Sequence, residues 1–258
     1  MTKKALITTA EKISIDLNCD LGEGTGNDAA IMPFISSANI ACGYHAGDTD
    51  TMKATVELAL RHQVAIGAHP SFQDRDNFGR TDIQLPMREI YDLVTKQVDS
   101  LAAITQKAGA RLHHVKLHGA LYNMAARTKT ISAIIALAVK DVDEDLVLYG
   151  SRLMITEAKK IGLKTASEVF ADRRYNEDGS LVSRKVAMAV IDSTEASIQQ
   201  VMQMIRKGTV TTIDETEIPI QAETICIHGD GPHAIDFARA IHAYLSKEKF
   251  IITAPFQH

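Results

Sequence analysis

DLNCDLGEGTGNDAAIMPFISSANIACGYHAGD, residues 16–48, is the stretch that decides the fold. It contains two short apolar runs, and each of them ends in a turn that contains glycine. The polar and charged side chains in or beside these runs are Asp16, Asn18, Asp20, Glu23, Asn39, His45 and Asp48. Because charged groups and imidazoles are costly to desolvate, such a cluster at the ends of strands indicates chemistry more than core packing.

The same pattern recurs downstream, where further apolar runs end in polar residues. These runs are GAHP at 67–70, VKLHGALYN at 115–123, EVFADRRY at 168–175 and CIHGD at 226–230. In a closed barrel of parallel strands, the strand ends meet at one face, and active sites form there. The repeated pattern therefore predicts an α/β barrel with a single active site at its mouth.

Strands and helices alternate along the chain, as a barrel requires. Apolar, β-branched runs predict strands at 13–18, 38–42, 64–68, 113–117, 146–150, 165–170, 224–228 and 250–253. Helical periodicity predicts helices at 50–63, 86–109, 129–140, 152–161, 194–207 and 232–246. Strands that are apolar on both faces are typical of a parallel sheet covered by helices. We expect residues 1–258 to form one (β/α)-barrel domain, with the polar loop 172–184 as a lid over the site.

Composition excludes several classes of function. The chain has 258 residues, 45% of them hydrophobic, with a net charge of −4. That balance favours neither nucleic acid nor an anionic membrane as a partner, and 5% aromatic residues without tryptophan argue against a platform for stacking bases or sugars. The first twelve residues lack the apolar segment of a signal peptide, so we expect a cytoplasmic protein.

A divalent cation is one interpretation of the polar cluster. Side chains alternate across a strand, so Asp16, Asn18 and Asp20 share one face. Asp16, or Asp20 in its place, could bind a cation together with His45 and His69, because carboxylate oxygens and neutral imidazole nitrogens are typical ligands. The alternative is a hydrogen-bonded network of the same groups without a metal.

The strand that contains Lys116 and His118 supplies a cation near these carboxylates. Lys116 could hold a substrate carboxylate or polarise a carbonyl, or it could form a structural ion pair with Asp16 or Glu168. His113 and His114 begin the same strand at its other end, so we interpret them as surface or core histidines.

An anion site is possible at the last strand end. His228 and Asp230 precede Pro232, which is typical of the first turn of a helix, and a helix N-terminus attracts anions. Asp230 could equally be the N-cap of that helix. No phosphate-binding loop of the GxxxxGK[ST] type is present, and we interpret GEGTG at 22–26 as a turn.

Taken together, these segments closely resemble the LamB/YcsF family, the A subunit of prokaryotic 5-oxoprolinase. The resemblance extends over roughly residues 13–246 and rests on DLNCDLGEG, SSANIACGYHAGD, GAHPSFQDRDNFGR, VKLHGALYN, EVFADRRYNEDGSLVSR and HGD. Two positions depart from the family pattern: Leu117 stands where proline is usual, and Thr81 where arginine is usual. The resemblance implies a seven-stranded (β/α) barrel like those of glycoside hydrolases and polysaccharide deacetylases. It also implies ATP-dependent opening of 5-oxo-L-proline to L-glutamate, together with partner subunits B and C.

Ring opening of an unreactive lactam needs an activated carbonyl, an attacking water and a proton for the leaving nitrogen. The residues that we assign to catalysis are Asp16, Asn18, His45, Lys116, His118 and Glu168. Those that we assign to substrate binding are Asp20, Asn39, Arg173, His228 and Asp230. Asp16 and His45 would activate water or hold a cation, Lys116 or Arg173 would hold a carboxylate, and His118 would protonate the leaving nitrogen.

Two other functions stay open on the sequence. One is a metal-dependent amidase or deacetylase that acts alone, and the other is a non-catalytic subunit that binds a lactam or a sugar. The number of proton-transfer groups favours an enzyme. ATP would bind at the GEGTG and HGD turns or mainly on a partner subunit.

Overall fold

The strand order defines a closed barrel. The computed structural model describes residues 13–229, 231 and 233–257. Its strands are β1 (Ser14–Leu21), β2 (Ser37–Ala41), β3 (Ala65–His69), β4 (His114–Lys116), β5 (Val147–Gly150), β6 (Lys164–Phe170), β7 (Thr209–Thr211), β8 (Glu217–Pro219), β9 (Thr224–His228) and β10 (Ile251–Ile252). Parallel pairing runs in the order β1-β2-β3-β4-β5-β6-β9, and β9 pairs again with β1. The predicted seven-stranded barrel is therefore confirmed.

Helices cover the outside of this barrel. They are α1 (Asp28–Ile31), α2 (Thr49–His62), α3 (Met87–Lys107), α4 (Gly119–Arg127), α5 (Lys129–Val142), α6 (Arg152–Lys160), α7 (Thr194–Lys207) and α8 (Ala234–Lys247). Single turns of 3₁₀ helix lie at Met32–Phe34 and Arg75–Asn77. Within the described ranges, no helix combines the length and the apolar character that crossing a membrane requires.

Local sequence signals explain where several helices begin and end. Asp48 accepts a hydrogen bond from the backbone N–H of Thr51 and so caps α2. Ser193 caps α7 in the same way, and α7 ends at Gly208, whose φ of +66° suits a residue without a side chain. Pro86 stands at the start of α3, where its missing N–H costs nothing. Pro232, which the sequence assigns to the start of the last helix, lies outside the described residues.

The barrel strands are apolar on their outer face and polar on their inner face. Leu17, Cys19 and Leu21 of β1 belong to the main apolar core between barrel and helices. The alternate residues Asp16 and Asn18 are equally buried but contact polar groups of other strands across the interior. Both faces of this strand are therefore buried, but apolar and polar side chains alternate along it, which places polar side chains in the barrel interior.

Three elements differ from the sequence-based prediction. The predicted strand 250–253 is reduced to β10, which pairs with β1 below the closed ring. Helix α4 and the antiparallel hairpin of β7 and β8 are additions to the predicted elements. Since α4 follows directly on His118 and opens with Gly119, its apolar residues resemble the continuation of a strand when only the sequence is considered.

Candidate active site

Three imidazoles and one carboxylate meet at the mouth of the barrel. His69 ends β3, His45 and His118 follow β2 and β4, and Glu23 lies in the loop after β1. We call this group the imidazole cluster; one ligand atom of each residue lies within 4.8 Å of those of the other three. All four residues are buried. The rings of His45 and His118 are stacked, with centroids 3.7 Å apart.

Hydrogen bonds fix the tautomer of each imidazole. His69 Nδ1 lies 2.7 Å from the carbonyl oxygen of Lys116, and His118 Nε2 lies 2.8 Å from that of Phe78. His45 Nδ1 lies 2.9 Å from Ser71 Oγ, which itself donates to the carbonyl oxygen of Phe72. Because a carbonyl oxygen only accepts, each of these ring nitrogens carries a proton. The opposite ring nitrogens therefore present lone pairs when the rings are neutral.

The surroundings keep these rings neutral. Burial lowers the pKa of His45 to about 2, and the neighbouring His69 contributes to this lowering. Burial likewise lowers the pKa of His69, although the Asp20 carboxylate opposes the change. Burial and the two other imidazoles hold the pKa of His118 well below its ordinary value. A second positive charge in so small a space would have no water to stabilise it.

Below the imidazole cluster, a buried ammonium group joins two carboxylates. Lys116 Nζ pairs with Asp20 Oδ1 and lies 3.5 Å from Glu168 Oε1 and 3.1 Å from Cys226 Sγ. Burial alone would lower the pKa of Lys116, but Asp20, Cys226 and Glu168 raise it well above its ordinary value. Burial opposes ionisation of Asp20 as well, yet the positive charge of Lys116 helps to hold its pKa well below the usual range. The pair is therefore charged, and Lys116 lies with Asp20 and Glu168 instead of Asp16.

Glu168 has a carboxylate oxygen that this layer leaves unsatisfied. Its Oε1 accepts from Asn18 Nδ2 at 3.2 Å, whereas Oε2 is buried and has no hydrogen-bond partner among the described residues. Burial raises the pKa of Glu168 above its ordinary value, and Lys116 only partly opposes this. The hydroxyl of Tyr122 lies close enough to Glu168 to lower the pKa of this carboxyl group, but it forms no hydrogen bond of regular geometry with a described residue. This part of the layer is therefore incompletely hydrogen-bonded.

Asp16 lies at the opposite end of the barrel from the mouth. Its Oδ1 accepts from Ser36 Oγ at 2.6 Å and from Ser37 Oγ at 2.8 Å, and its Oδ2 accepts from Thr224 Oγ1 at 2.5 Å. We call Asp16 and these three hydroxyl residues the hydroxyl cage. Burial raises the pKa of Asp16 to about 6, while the hydroxyl donors lower it.

The predicted set of Asp16, His45 and His69 is therefore wrong as a single ligand group. Asp16 pairs in register with Thr224, the first residue of β9, at the amino ends of the strands. His45 and His69 lie at the carboxyl ends, and Glu23 and His118 accompany them there. Asp16 also cannot activate water at the mouth, because its carboxylate is enclosed by the hydroxyl cage.

A chain of amides connects the two ends. Asn39 Nδ2 donates to Asn18 Oδ1 at 2.7 Å and to Asp20 Oδ1 at 2.8 Å. His114 Nε2 lies 2.9 Å from Asn39 Oδ1, so it donates there. The sequence predicts Asn18, Asp20 and Asn39 as site residues, and the structure brings these three together in the barrel interior.

His228 and Arg173 lie on the β6–β9 side of the mouth. His228 Nδ1 lies 2.8 Å from Asp172 Oδ2, and this imidazole helps to hold the pKa of Asp172 below its usual range despite burial. Burial lowers the pKa of Arg173 to about 10, and its Nη2 donates to the carbonyl oxygen of Val182 at 2.6 Å. Asp230 lies outside the described residues. The loop 172–184 is thus anchored by buried side chains at its start.

Comparison with known proteins places the chain in a family. A profile of the LamB/YcsF family matches residues 15–258. The chain belongs to the LamB/YcsF family. It is 54% identical over 248 residues to a protein of Staphylococcus carnosus that is named as the A subunit of 5-oxoprolinase, and the match covers 93% of this chain and 98% of the relative.

Solved structures agree with this placement. The crystal structure of a lactam utilization protein from Thermus thermophilus is 38% identical and superposes with a TM-score of 0.87, covering 94% of this chain and 100% of the other. The catalytic domain of a peptidoglycan N-acetylglucosamine deacetylase from Eubacterium rectale superposes with a TM-score of 0.51 at 10% identity, over 96% of this chain and 94% of the other. That second likeness shows a shared fold alone.

Sequence reasoning misses three residues of this LamB/YcsF site. Glu23 receives no role from the sequence, yet Gly22 and Gly24, with φ of +71° and +79°, allow the turn that brings it over the mouth. Of the two interpretations of His114, a surface or a core histidine, the structure supports the core one, because His114 shares the inner strand face of Lys116 and is buried there. The signal for it is Gly67, where a Cβ atom would lie only 2.1 Å from His114 Nε2. Asp172 carries no signal beyond its position after a strand.

Proposed function

We propose that this chain is the A subunit of a 5-oxoprolinase and that its barrel mouth opens 5-oxo-L-proline to L-glutamate. The observation that carries the proposal is the match to a protein named as the A subunit of 5-oxoprolinase, at 54% identity over nearly the whole chain. The geometry supports it, because the mouth gathers a buried ammonium group, several carboxylates and neutral imidazoles at one place.

The chemistry of a lactam requires these groups. Phosphorylation of the amide oxygen by ATP would make its carbon electrophilic, and water would then add to that carbon. Cleavage of the C–N bond, with a proton going to the leaving nitrogen, would then give an acyl phosphate. A second water would release phosphate from it and leave the carboxylate of glutamate. Each step needs a positioned acid, base or counter-charge in a site that excludes water.

Glu168 is our candidate for the proton transfers. Its raised pKa and its incompletely hydrogen-bonded Oε2 suit the carboxyl group to taking and releasing a proton. His118, which the sequence analysis assigns as the acid, is less suited. Burial keeps it neutral, and the proton on its Nε2 is held by the carbonyl oxygen of Phe78.

Two cations are available for the carboxylate of the substrate. Lys116 is already paired with Asp20, whereas Arg173 has a buried Nε without a hydrogen-bond partner among the described residues. We therefore propose Arg173 as the clamp for the substrate carboxylate and Lys116 as the group that polarises the carbonyl. His228 would line the same side of the pocket.

ATP is proposed to bind mainly on a partner. In the GEGTG turn, the backbone N–H of Gly22 donates to Asp28 Oδ2 at 2.9 Å, so a carboxylate already occupies the place that a phosphate would take. The name of the relative implies that its enzyme has further subunits, and we propose subunits B and C as the partners of this chain. The proposed location of the assembly is the cytoplasm.

The test is glutamate release from 5-oxo-L-proline with ATP and Mg²⁺, measured for this chain by itself and together with subunits B and C. We expect release only from the complete mixture and only with ATP. No release from the complete mixture, or equal release when this chain is left out, would contradict the proposal. Release of acetate from an N-acetylated sugar by the chain without its partners would instead indicate a deacetylase.

A further inference from the structure

We propose that Glu23, His45, His69 and His118 form a binding site for one divalent transition-metal ion of the Zn²⁺ type. This site goes beyond the proposed ring opening and stands on the geometry of the side chains. It differs from the ligand set expected from the sequence, which includes Asp16 and lacks Glu23 and His118.

The imidazole nitrogens that face one another in the cluster carry no protons. With their other nitrogens protonated by the contacts to Ser71, Lys116 and Phe78, the atoms His45 Nε2, His69 Nε2 and His118 Nδ1 carry lone pairs and lie within 4.8 Å of one another. The rings of His45 and His118 are parallel, so one of them would turn to place a shared ion in its plane. His118 Nδ1 and His69 Nε2 are only 2.9 Å apart, where two lone pairs repel each other. The competing contact, from His69 Nε2 to Asp20 Oδ2, is longer at 3.3 Å. A cation between the nitrogens turns this repulsion into attraction.

The distances between the ligand atoms of the imidazole cluster can be compared with those around a tetrahedral zinc ion. A tetrahedral zinc ion with ligand bonds of about 2.0–2.1 Å places its ligand atoms about 3.4 Å apart. Glu23 Oε1 lies 3.2 Å from His45 Nε2, 3.4 Å from His118 Nδ1 and 3.9 Å from His69 Nε2. Together with the 2.9 Å between His69 and His118, these distances scatter around the tetrahedral value. Four of the six separations thus suit the ligands of one ion, and the other two, from His45 to the two other imidazoles, are at most 4.8 Å.

The second ring nitrogen of each histidine in the cluster forms a hydrogen bond that holds the ring in place. Metal-binding histidines almost always donate their second N–H to a carbonyl, a carboxylate or a hydroxyl, which fixes the tautomer and the ring orientation. His69 and His118 donate to backbone carbonyl oxygens, and His45 donates to a hydroxyl that is itself oriented by a carbonyl. Imidazole-rich sites of this kind suit zinc and its neighbours, whereas Mg²⁺ prefers oxygen ligands.

A second group of metal-ligating residues nearby does not qualify. Asp20, Cys226 and His228 also lie within bonding reach of a common point. The ammonium group of Lys116 contacts both Asp20 and Cys226, however, and His228 is turned towards Asp172. A metal ion there would meet a positive charge already in place.

Equilibrium binding to the purified full chain tests the proposal. The chain is first treated with a chelator and dialysed, and Zn²⁺ or Co²⁺ is then added and bound metal is counted by elemental analysis. We expect one ion per chain, visible absorption bands of four-coordinate Co²⁺, and no competition by excess Mg²⁺. His45→Gln and His118→Gln should each weaken binding by about 10-fold to 100-fold or more, the scale for disturbing a metal site. Circular dichroism would show that the variants are folded.

Matched control variants show which residues bind the ion. His228→Gln removes a ligand of the rejected group and His62→Gln removes a histidine of helix α2, and both should keep one ion per chain. Glu23→Gln changes only a charge in a loop, so it tests the site even where a histidine variant unfolds. Absence of stoichiometric binding would show that a shared proton, and no metal, lies between the imidazoles. Equal binding by the wild type and by His45→Gln, His118→Gln and Glu23→Gln would also overturn the proposal.

Discussion

The hydroxyl cage and the imidazole cluster are two polar regions inside one barrel, and they differ in how their hydrogen bonds are satisfied. In the cage, three hydroxyl groups donate to the two oxygens of Asp16, so the carboxylate is complete without any further group. In the cluster, three imidazole nitrogens without protons lie within 4.8 Å of one another. Buried polar groups are normally satisfied, so the second arrangement marks the functional end of the barrel and the first a structural one.

The layer of Lys116 lies between these two regions and connects them. Asp20 of this layer contacts His69 of the cluster, and Glu168 shares Asn18 with Thr224 of the cage. A change at the cage should therefore alter stability, and a change at the mouth should alter chemistry. A change in the middle layer should alter both.

The largest effect is expected for Lys116→Met. This change leaves Asp20 and Glu168 as buried carboxylates without their counter-charge, which costs about 3–5 kcal/mol of the free energy of unfolding. Urea denaturation measures it. Lys53→Met is the matched control, because Lys53 forms only an exposed pair with Asp50 and should change stability by less than about 1 kcal/mol. Similar losses for the two variants would contradict the central role of the buried ion pair.

A pH-dependent effect of up to about 3 kcal/mol is expected from the hydroxyl cage. The pKa of Asp16 is raised from 3.8 to about 6, so the folded state holds a proton that the unfolded state has lost. The contribution of Asp16 to stability is therefore fully present below about pH 4 and is lost as the pH rises through about 6.

The variant Asp16→Asn tests the direction of this pH dependence. The free energy of unfolding of the wild type, relative to that of the variant, should fall between about pH 4 and pH 7 and then level off. Asp50→Asn, on the exposed start of α2, should show no such trend. A difference between wild type and Asp16→Asn that grows in favour of the wild type as the pH rises would be the opposite of this expectation.

Glu168→Gln should lower glutamate release by the reconstituted complex about 10²-fold or more, the usual scale for a lost acid–base group. The amide keeps the size of the side chain and an oxygen that can accept from Asn18, but it cannot exchange protons. Glu157→Gln is the control, because Glu157 is a buried glutamate of helix α6 that pairs with Lys160 outside the barrel. Unchanged turnover in Glu168→Gln would remove Glu168 from the proposed chemistry.

The sequence predicts the barrel well and the depth of its residues poorly. Apolar runs locate all seven barrel strands, and alternation places Asp16, Asn18 and Asp20 on one face. A first strand that ends at residue 18 would put Asp16 at the mouth. The strand instead continues to Leu21, so Asp16 lies near its start. Periodicity shows which face a residue takes, but position along the barrel axis depends on strand length and on pairing with neighbours that are distant in sequence.

His114 is a second residue whose position along the barrel axis cannot be predicted from the sequence pattern. Its place at the start of β4 indicates the far end of the barrel, but β4 is only three residues long and pairs with Gly67 in the middle of β3. The stagger of the strands therefore lifts His114 to the level of Asn39. No local pattern in the sequence reports this stagger, because it is a property of the closed sheet as a whole.

The smallest effect is expected at Gly67, which leaves space for the imidazole ring of His114. A methyl group there would lie 2.1 Å from His114 Nε2, and the ring is held between Asn39 and Tyr149, whose ring centroid is 4.2 Å away. Gly67→Ala should therefore lower the free energy of unfolding by about 1–3 kcal/mol, as overpacking of a core usually does. Gly150→Ala is the control, because the atoms nearest to its methyl group would belong to the side chain of Met154, whose flexible end can move.

The double variant Gly67→Ala/His114→Ala separates this clash from a general defect of β3. Once the imidazole is gone, the new methyl group enters the space that the ring has left, so the added cost of Gly67→Ala should fall below about 0.5 kcal/mol. Denaturation of the wild type, the two single variants and the double variant gives this coupling directly. An added cost that is the same with and without His114 would show that Gly67 serves the strand backbone. The amide chain between the hydroxyl cage and the mouth would then not depend on the space that this glycine leaves.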